Sequence, residues 1–216
     1  MHVSSRHVLR QGPMLATLGK TAARALGQRL RSGKGSTLIT PGPEVARTFA
    51  PISSALIDEY VEHVGGDPRA YRGIVPPHLF SHWVLPVAAE TLRDVNYPLL
   101  RVLNAGCRMQ VNGRLPREEP LSVRGFLAQV DDDGKRALLT QRVITGTPSS
   151  PDALVTDVYA FVPLARERSS NGKGREGNGA PVKREKPRVP HGAREIGFMQ
   201  LPADAGLSFA KLTGDF

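Results

Sequence analysis

Four groups of residues in this chain of 216 bear on chemistry. His78 and His82 stand four apart, so a helix would place both on one face, the spacing of a metal-binding pair. No glutamate follows His78, and no third ligand is evident in the sequence. Packing or hydrogen bonding at the mouth of a helix is therefore the favoured role, and no metal site is expected. Cys107 lies in an expected strand, where a lone thiol is expected to be buried and inert. Glu118-Glu119 falls in a turn and reads as a solvated pair. At the far end, Thr213-Gly214-Asp215 closes the run Phe209-Ala210-Lys211-Leu212. Taken alone, that sequence is a common one and reads as an ordinary turn. No Gly-x-Ser-x-Gly elbow, phosphate loop or dinucleotide fingerprint occurs. Gly172-Lys173-Gly174 lacks the flanking strand and helix that give such glycines meaning.

The elements that must position these groups follow from periodicity. Val45 to Phe49 reads as a short strand. Ser53 looks like an N-cap, and Ile52, Leu56, Tyr60, Val61 and Val64 follow at helical spacing until Gly65-Gly66. Asp67-Pro68 starts a turn. His78 to Leu92 is apolar on most of its circumference, the mark of a buried helix. Pro86 inside it predicts a kink or a broken first half. Four strands are expected next: Leu103 to Val111, Leu121 to Val130, Arg136 to Thr145 and Leu154 to Pro163. Asn112-Gly113 and Asp131-Asp132-Asp133-Gly134 supply turn signals between them, which suggests a meander. A buried helix wrapped by an antiparallel sheet is an α+β plan. Ile196, Phe198 and Gln200 suggest one more strand.

The charge of +9 is concentrated outside this plan. Residues 1–34 carry seven basic side chains and no acidic one, around an amphipathic stretch that reads as a docking helix, a loose tail or a targeting element. Residues 166–194 carry nine basic and three acidic residues, almost no apolar ones and no interleaved aromatic, so they read as a disordered linker. The remainder is mildly acidic, and no nucleic-acid partner is expected. One cysteine excludes a disulfide framework. No run of about 18 apolar residues exists to span a bilayer. A cytoplasmic location is the expectation. The organisation expected is a basic tail (1–34), a first domain (35–165), a linker (166–194) and a second element (195–216) too small to form its own core.

Phe209-Ala210-Lys211-Leu212-Thr213-Gly214-Asp215-Phe216 resembles the opening of the signature of the MaoC-like, or hydratase-2, acyl-thioester dehydratases. That signature runs from an aromatic residue through small-Gly-Asp-x-Asn-Pro-(Ile/Leu)-His. Leu201-Pro202-Ala203-Asp204 is similar to the stretch that precedes it. His78-Leu79-Phe80 and Glu119-Pro120-Leu121 resemble landmarks of an N-terminal hotdog repeat. The resemblance covers roughly residues 45–165 and 195–216. It implies a hotdog fold, as the N-terminal repeat of a double hotdog with the second repeat mostly missing.

The function implied is hydration of a 2-enoyl thioester of coenzyme A or acyl carrier protein, or dehydration of the 3-hydroxyacyl thioester. No metal or redox cofactor is implied. Residue by residue, Asp215 matches the catalytic aspartate and Gly214 the glycine before it, while His78, Phe80 and Trp83 are implied to shape the substrate site. The motif's histidine is absent. The resemblance therefore implies a chain cut inside its signature and inactive on its own, with a second copy or a hotdog subunit as partner. The competing expectation is a non-catalytic acyl-binding or subunit module.

Overall fold

The computed structural model describes residues 39–164, 192–198 and 200–215. The expected helix of the first 34 residues, and all but the last three residues of the expected linker, lie outside them. Two α-helices precede a five-stranded antiparallel sheet's longer strands, and a third follows them. Strand β1 (Val45–Phe49) leads into helix α1 (Ser54–His63), then helix α2 (Ser81–Thr91). Strands β2 (Leu103–Val111), β3 (Leu121–Asp132), β4 (Arg136–Thr147) and β5 (Ser150–Pro163) come next, and helix α3 (Ala205–Thr213) last.

The strand order is β1-β3-β4-β5-β2. The expected meander therefore holds for β3, β4 and β5 only. β2 does not pair with β3; it pairs antiparallel with β5 at the far edge. Asn112-Gly113 is not a hairpin turn. Both its N–H groups are donated to the Ala153 carbonyl, at 2.8 and 3.1 Å, which ties the chain to the tip of the β4–β5 hairpin before it crosses to β3.

Local chemistry explains the helices. The Ser53 hydroxyl accepts the Leu56 N–H and caps α1, whose Leu56, Ile57, Tyr60 and Val61 turn inward. The apolar segment after Val75 breaks early: Pro77–Leu79 forms a 3-10 turn, and α2 begins at Ser81 with Pro86 inside it. The proline removes one backbone donor, and α2 is held by the sheet instead. Its Trp83, Val84 and Val87 have no exposed surface. Trp83 donates its indole N–H to Thr145 Oγ1 on β4 (3.0 Å), and Gln141 on β4 donates to the Ala88 carbonyl (3.2 Å).

α2 packs chiefly on β3, and also on β1 and β4. The inward row of β3 alternates as expected, with Leu121, Val123, Gly125 and Leu127 buried. Gly125 is where the helix comes nearest. A Cβ there would stand 2.9 Å from Val87 Cγ1 and 3.2 Å from the Arg142 carbonyl oxygen. Gly125→Ala is expected to cost about 1–3 kcal/mol by overpacking, read as a lower denaturant midpoint. An unchanged midpoint would mean that the helix can lift at no cost.

Two ties fasten the crossing connection. Arg117, only 8 % exposed, donates to Asp58 Oδ1 on α1 (2.8 Å) and to the Ile74 carbonyl (3.0 Å). Glu119 accepts the backbone N–H (2.9 Å) and the hydroxyl (2.5 Å) of Ser149 at the β4–β5 turn, and these bonds hold its carboxyl below the usual range. The sequence reading of Glu118-Glu119 as merely solvated is thus corrected for Glu119: it caps a neighbouring turn.

Two further expectations change. Among the described residues Ile196, Phe198 and Gln200 belong to no strand, and Ile196 and Phe198 are 92 % and 84 % exposed. Cys107 is exposed, not buried, because α2 does not reach across to β2. Among the described residues no helix is long and apolar enough to cross a membrane.

Candidate functional site

His78 lies where α1, the 3-10 turn before α2, and α3 come together. Tyr60 on α1 donates its hydroxyl to the His78 carbonyl at 3.0 Å. The His78 ring lies 5.4 Å from the Tyr60 ring and 5.5 Å, nearly edge-on, from that of Tyr71. Phe209 of α3 stacks at a tilt on Tyr60, 6.2 Å between centroids. Burial pushes the Tyr60 hydroxyl up to about 12, with help from Tyr71, so it stays a neutral donor. Phe80 is the N-cap residue of α2 and offers no side-chain acceptor. The first N–H groups of α2 are therefore uncapped by it, and a helix N-terminus favours negative charge.

Trp83 lies one turn further in and has no exposed surface. Its position makes it a support of the site rather than a wall of it. His82 is half-buried on the same helix. No cluster of three or more potential metal-ligating side chains occurs among the described residues.

α3 packs on α1. Leu212 and Thr213 have no exposed surface, and Leu212 joins the main core. Gly214 ends α3 in the left-handed region (φ 78°) and donates to the Ala210 carbonyl. Asp215 follows, exposed, with its N–H donated to Thr213 Oγ1 at 3.3 Å, while that hydroxyl donates to the Phe209 carbonyl. Among the described residues, Asp215 makes no hydrogen bond or ion pair with a histidine. Tyr60 thus links His78 to Phe209 of α3, the helix that Gly214 and Asp215 follow, and no Asp–His pair forms among the described residues.

Sequence reasoning missed Tyr60 and Tyr71 as partners of His78, having read Tyr60 only as an apolar helix position. The sole available signal was the hydroxyl on a residue expected to be buried, since such a group needs an acceptor.

Burial lowers the pKa of both His78 and His82 from 6.5. The unfolded chain then binds protons that the folded chain refuses, so stability falls as pH drops below about 6.5 and is fully kept above it. A melting temperature that declines from pH 7 to 5.5, with the slope reduced in His78→Gln/His82→Gln, is the expected result. A flat profile would contradict it. The carboxyls of Glu119, Asp133 and Asp67 are shifted down and act only at lower pH.

An open cleft of about 550 Å³ lies at the opposite end of the sheet, lined by Asp131, Asp132, Asp133, Arg136, Leu138 and Phe161. Its carboxylates are engaged: Asp131 by Gln129, Asp132 by Tyr97, and Asp133 by Arg136 and two backbone N–H groups.

No protein-family model matches this chain, and no curated protein does. Solved structures do. The chain is similar to a MaoC-like dehydratase at a TM-score of 0.55 and 14 % identity, over 81 % of this chain and 66 % of that one. At such identity the likeness shows the fold, an α+β antiparallel hotdog. Lower similarities include the C-terminally truncated HadBC 3R-hydroxyacyl-ACP dehydratase complex of Mycobacterium tuberculosis (TM-score 0.48, 12 % identity, 58 % of this chain, 99 % of that one). They also include the MaoC-like dehydratase of Rhodospirillum rubrum (TM-score 0.42, 13 % identity, 62 % and 99 %).

Proposed function

We propose that this chain is a hotdog of the MaoC-like type that binds an acyl thioester of coenzyme A or acyl carrier protein, the work of an enoyl-thioester hydratase or 3-hydroxyacyl dehydratase in the cytoplasm. The observation that carries the reading is the N-terminus of α2, with no side-chain cap, beside half-buried His78 and Phe80, with α3, which Gly214 and Asp215 follow, packed on the adjoining helix. Water addition to C3 of an enoyl thioester builds negative charge on the thioester oxygen. Backbone N–H groups at a helix start are fixed donors for that charge. Asp215 is the group assigned to hold the water. Without a histidine partner it lacks assistance worth a factor of roughly 10²–10⁴. The expectation is therefore thioester binding with little turnover by the 216-residue chain.

The test is an equilibrium titration with a short 2-enoyl-CoA against free coenzyme A. Tighter binding of the thioester supports the reading. Equal affinity for both would remove it, because the acyl group and carbonyl would then contribute nothing.

A second reading, a non-catalytic subunit that works beside a partner hotdog, rests on a separate observation. All nine residues of β2 are exposed at the end of the sheet, and an open edge of that length invites pairing.

A further inference from the structure

We propose that Ser81 is a substrate-contacting residue: its hydroxyl donates to the thioester carbonyl oxygen, beside the backbone N–H groups of Ser81 and His82. This deepens the thioester reading above and rests on it.

Backbone bonding around the start of α2 leaves a gap. Leu79 and Phe80 donate to the Pro76 and Pro77 carbonyls, at 3.0 and 3.1 Å. Trp83 and Val84 both donate to the Phe80 carbonyl, at 3.1 and 2.8 Å. Between these pairs, the Ser81 and His82 N–H groups find no backbone acceptor among the described residues. The gap falls where the 3-10 turn of Pro77–Leu79 gives way to α2. In an unbroken α-helix the His82 N–H would bond the His78 carbonyl. Here that carbonyl accepts the Tyr60 hydroxyl at 3.0 Å. Two adjacent donors are thus left open at the end of the helix that favours negative charge.

The Ser81 side chain is a separate observation. Ser81 is only 6 % exposed, yet its hydroxyl has no hydrogen-bond partner among the described residues. Other helical hydroxyls that are not exposed are paired: Thr91 with the Ala88 carbonyl, Ser208 with Asp204, and Thr213 with the Phe209 carbonyl. Nor is the Ser81 hydroxyl sealed in. Among the described residues, the one enclosed side-chain polar atom without a partner is Thr156 Oγ1, on β5. Side chains of a helix lean toward its N-terminus. At the first residue of α2 the hydroxyl therefore serves the same end as the open N–H groups.

An unpaired hydroxyl on a buried residue costs stability that an alanine of nearly equal volume would not. A ligand oxygen accounts for a donor kept there. Two donors satisfy the lone pairs of a ground-state carbonyl. As water adds to C3, charge builds on that oxygen, and a third fixed donor then strengthens its hold.

The test compares wild type, Ser81→Ala and Ser81→Thr, all in the full chain. Each is titrated with a short 2-enoyl-CoA and with its thioether counterpart, in which a methylene replaces the carbonyl. The absorbance band of the bound enoyl thioester is recorded alongside. Ser81→Ala is expected to weaken thioester binding by about fivefold or more, to leave thioether binding unchanged and to reduce the red shift of the bound band. It is also expected to melt no lower than wild type, since it removes an unpaired group. Ser81→Thr, which keeps the hydroxyl, is expected to retain the red shift. Unchanged thioester affinity and band position in Ser81→Ala, or equal losses for thioester and thioether, would overturn the proposal while the wild type still prefers the thioester. A wild type that binds the thioester no better than free coenzyme A would instead remove the functional reading, and this inference with it.

Discussion

Trp83→Ala is expected to destabilise the protein by about 3–5 kcal/mol, the largest single effect of any substitution considered. The indole fills the space between α2 and β4 with no exposed surface, and its N–H is matched by the Thr145 hydroxyl. Two conservative changes divide the effect. Trp83→Phe keeps most of the volume but strands a hydroxyl at a position with no exposed surface, at a cost of about 1–3 kcal/mol. Adding Thr145→Val to Trp83→Phe removes the stranded group and should recover part of that loss. Urea unfolding of the three variants measures all of it. A Trp83→Ala loss under about 1 kcal/mol would mean that the helix is not seated on the sheet by this side chain.

Leu212→Ala comes next, at about 2–5 kcal/mol. Leu212 is the part of α3 that enters the main core, alongside residues of α1 and α2. Leu207 on the same helix is 56 % exposed and serves as the control. Leu207→Ala is expected to stay within about 0.5 kcal/mol. Equal, small effects at both positions would show that α3 does not dock on α1 in solution. The Thr213-Gly214-Asp215 end would then lose its connection with the site. A large effect at Leu212 alone supports the placement from which the functional reading starts.

The sequence announced what local patterns encode. Ser53 caps its helix, β3 alternates Leu121, Val123, Gly125 and Leu127, and Asp131 to Gly134 turns the chain as the turn residues require. Non-local facts were not legible. Asn112-Gly113 reads as a hairpin turn in isolation, yet the hydrogen bonds it makes run to Ala153, forty residues away in the chain. The exposure of Cys107 depends on how far α2 extends across the sheet, which no alternation in β2 reports. The Ile196–Gln200 pattern suits a strand, but a strand also needs a neighbour. At the site, His78 and Phe80 were visible by resemblance. The tyrosines that hold His78 come from other segments, Tyr60 from α1 and Tyr71 from the turn after it, and only the fold brings them there.

The proposed function holds a thioester carbonyl at the start of α2. Phe80→Asp addresses it most directly. An aspartate at this position adds negative charge at the start of α2, where the thioester oxygen would sit. Titration of wild type and variant with the same 2-enoyl-CoA is predicted to show saturable binding to the wild type. In the variant it should be weaker by about tenfold or more, 1.4 kcal/mol of binding free energy, while free coenzyme A binds both alike. Undiminished thioester affinity in Phe80→Asp, with the variant folded, would contradict the claim.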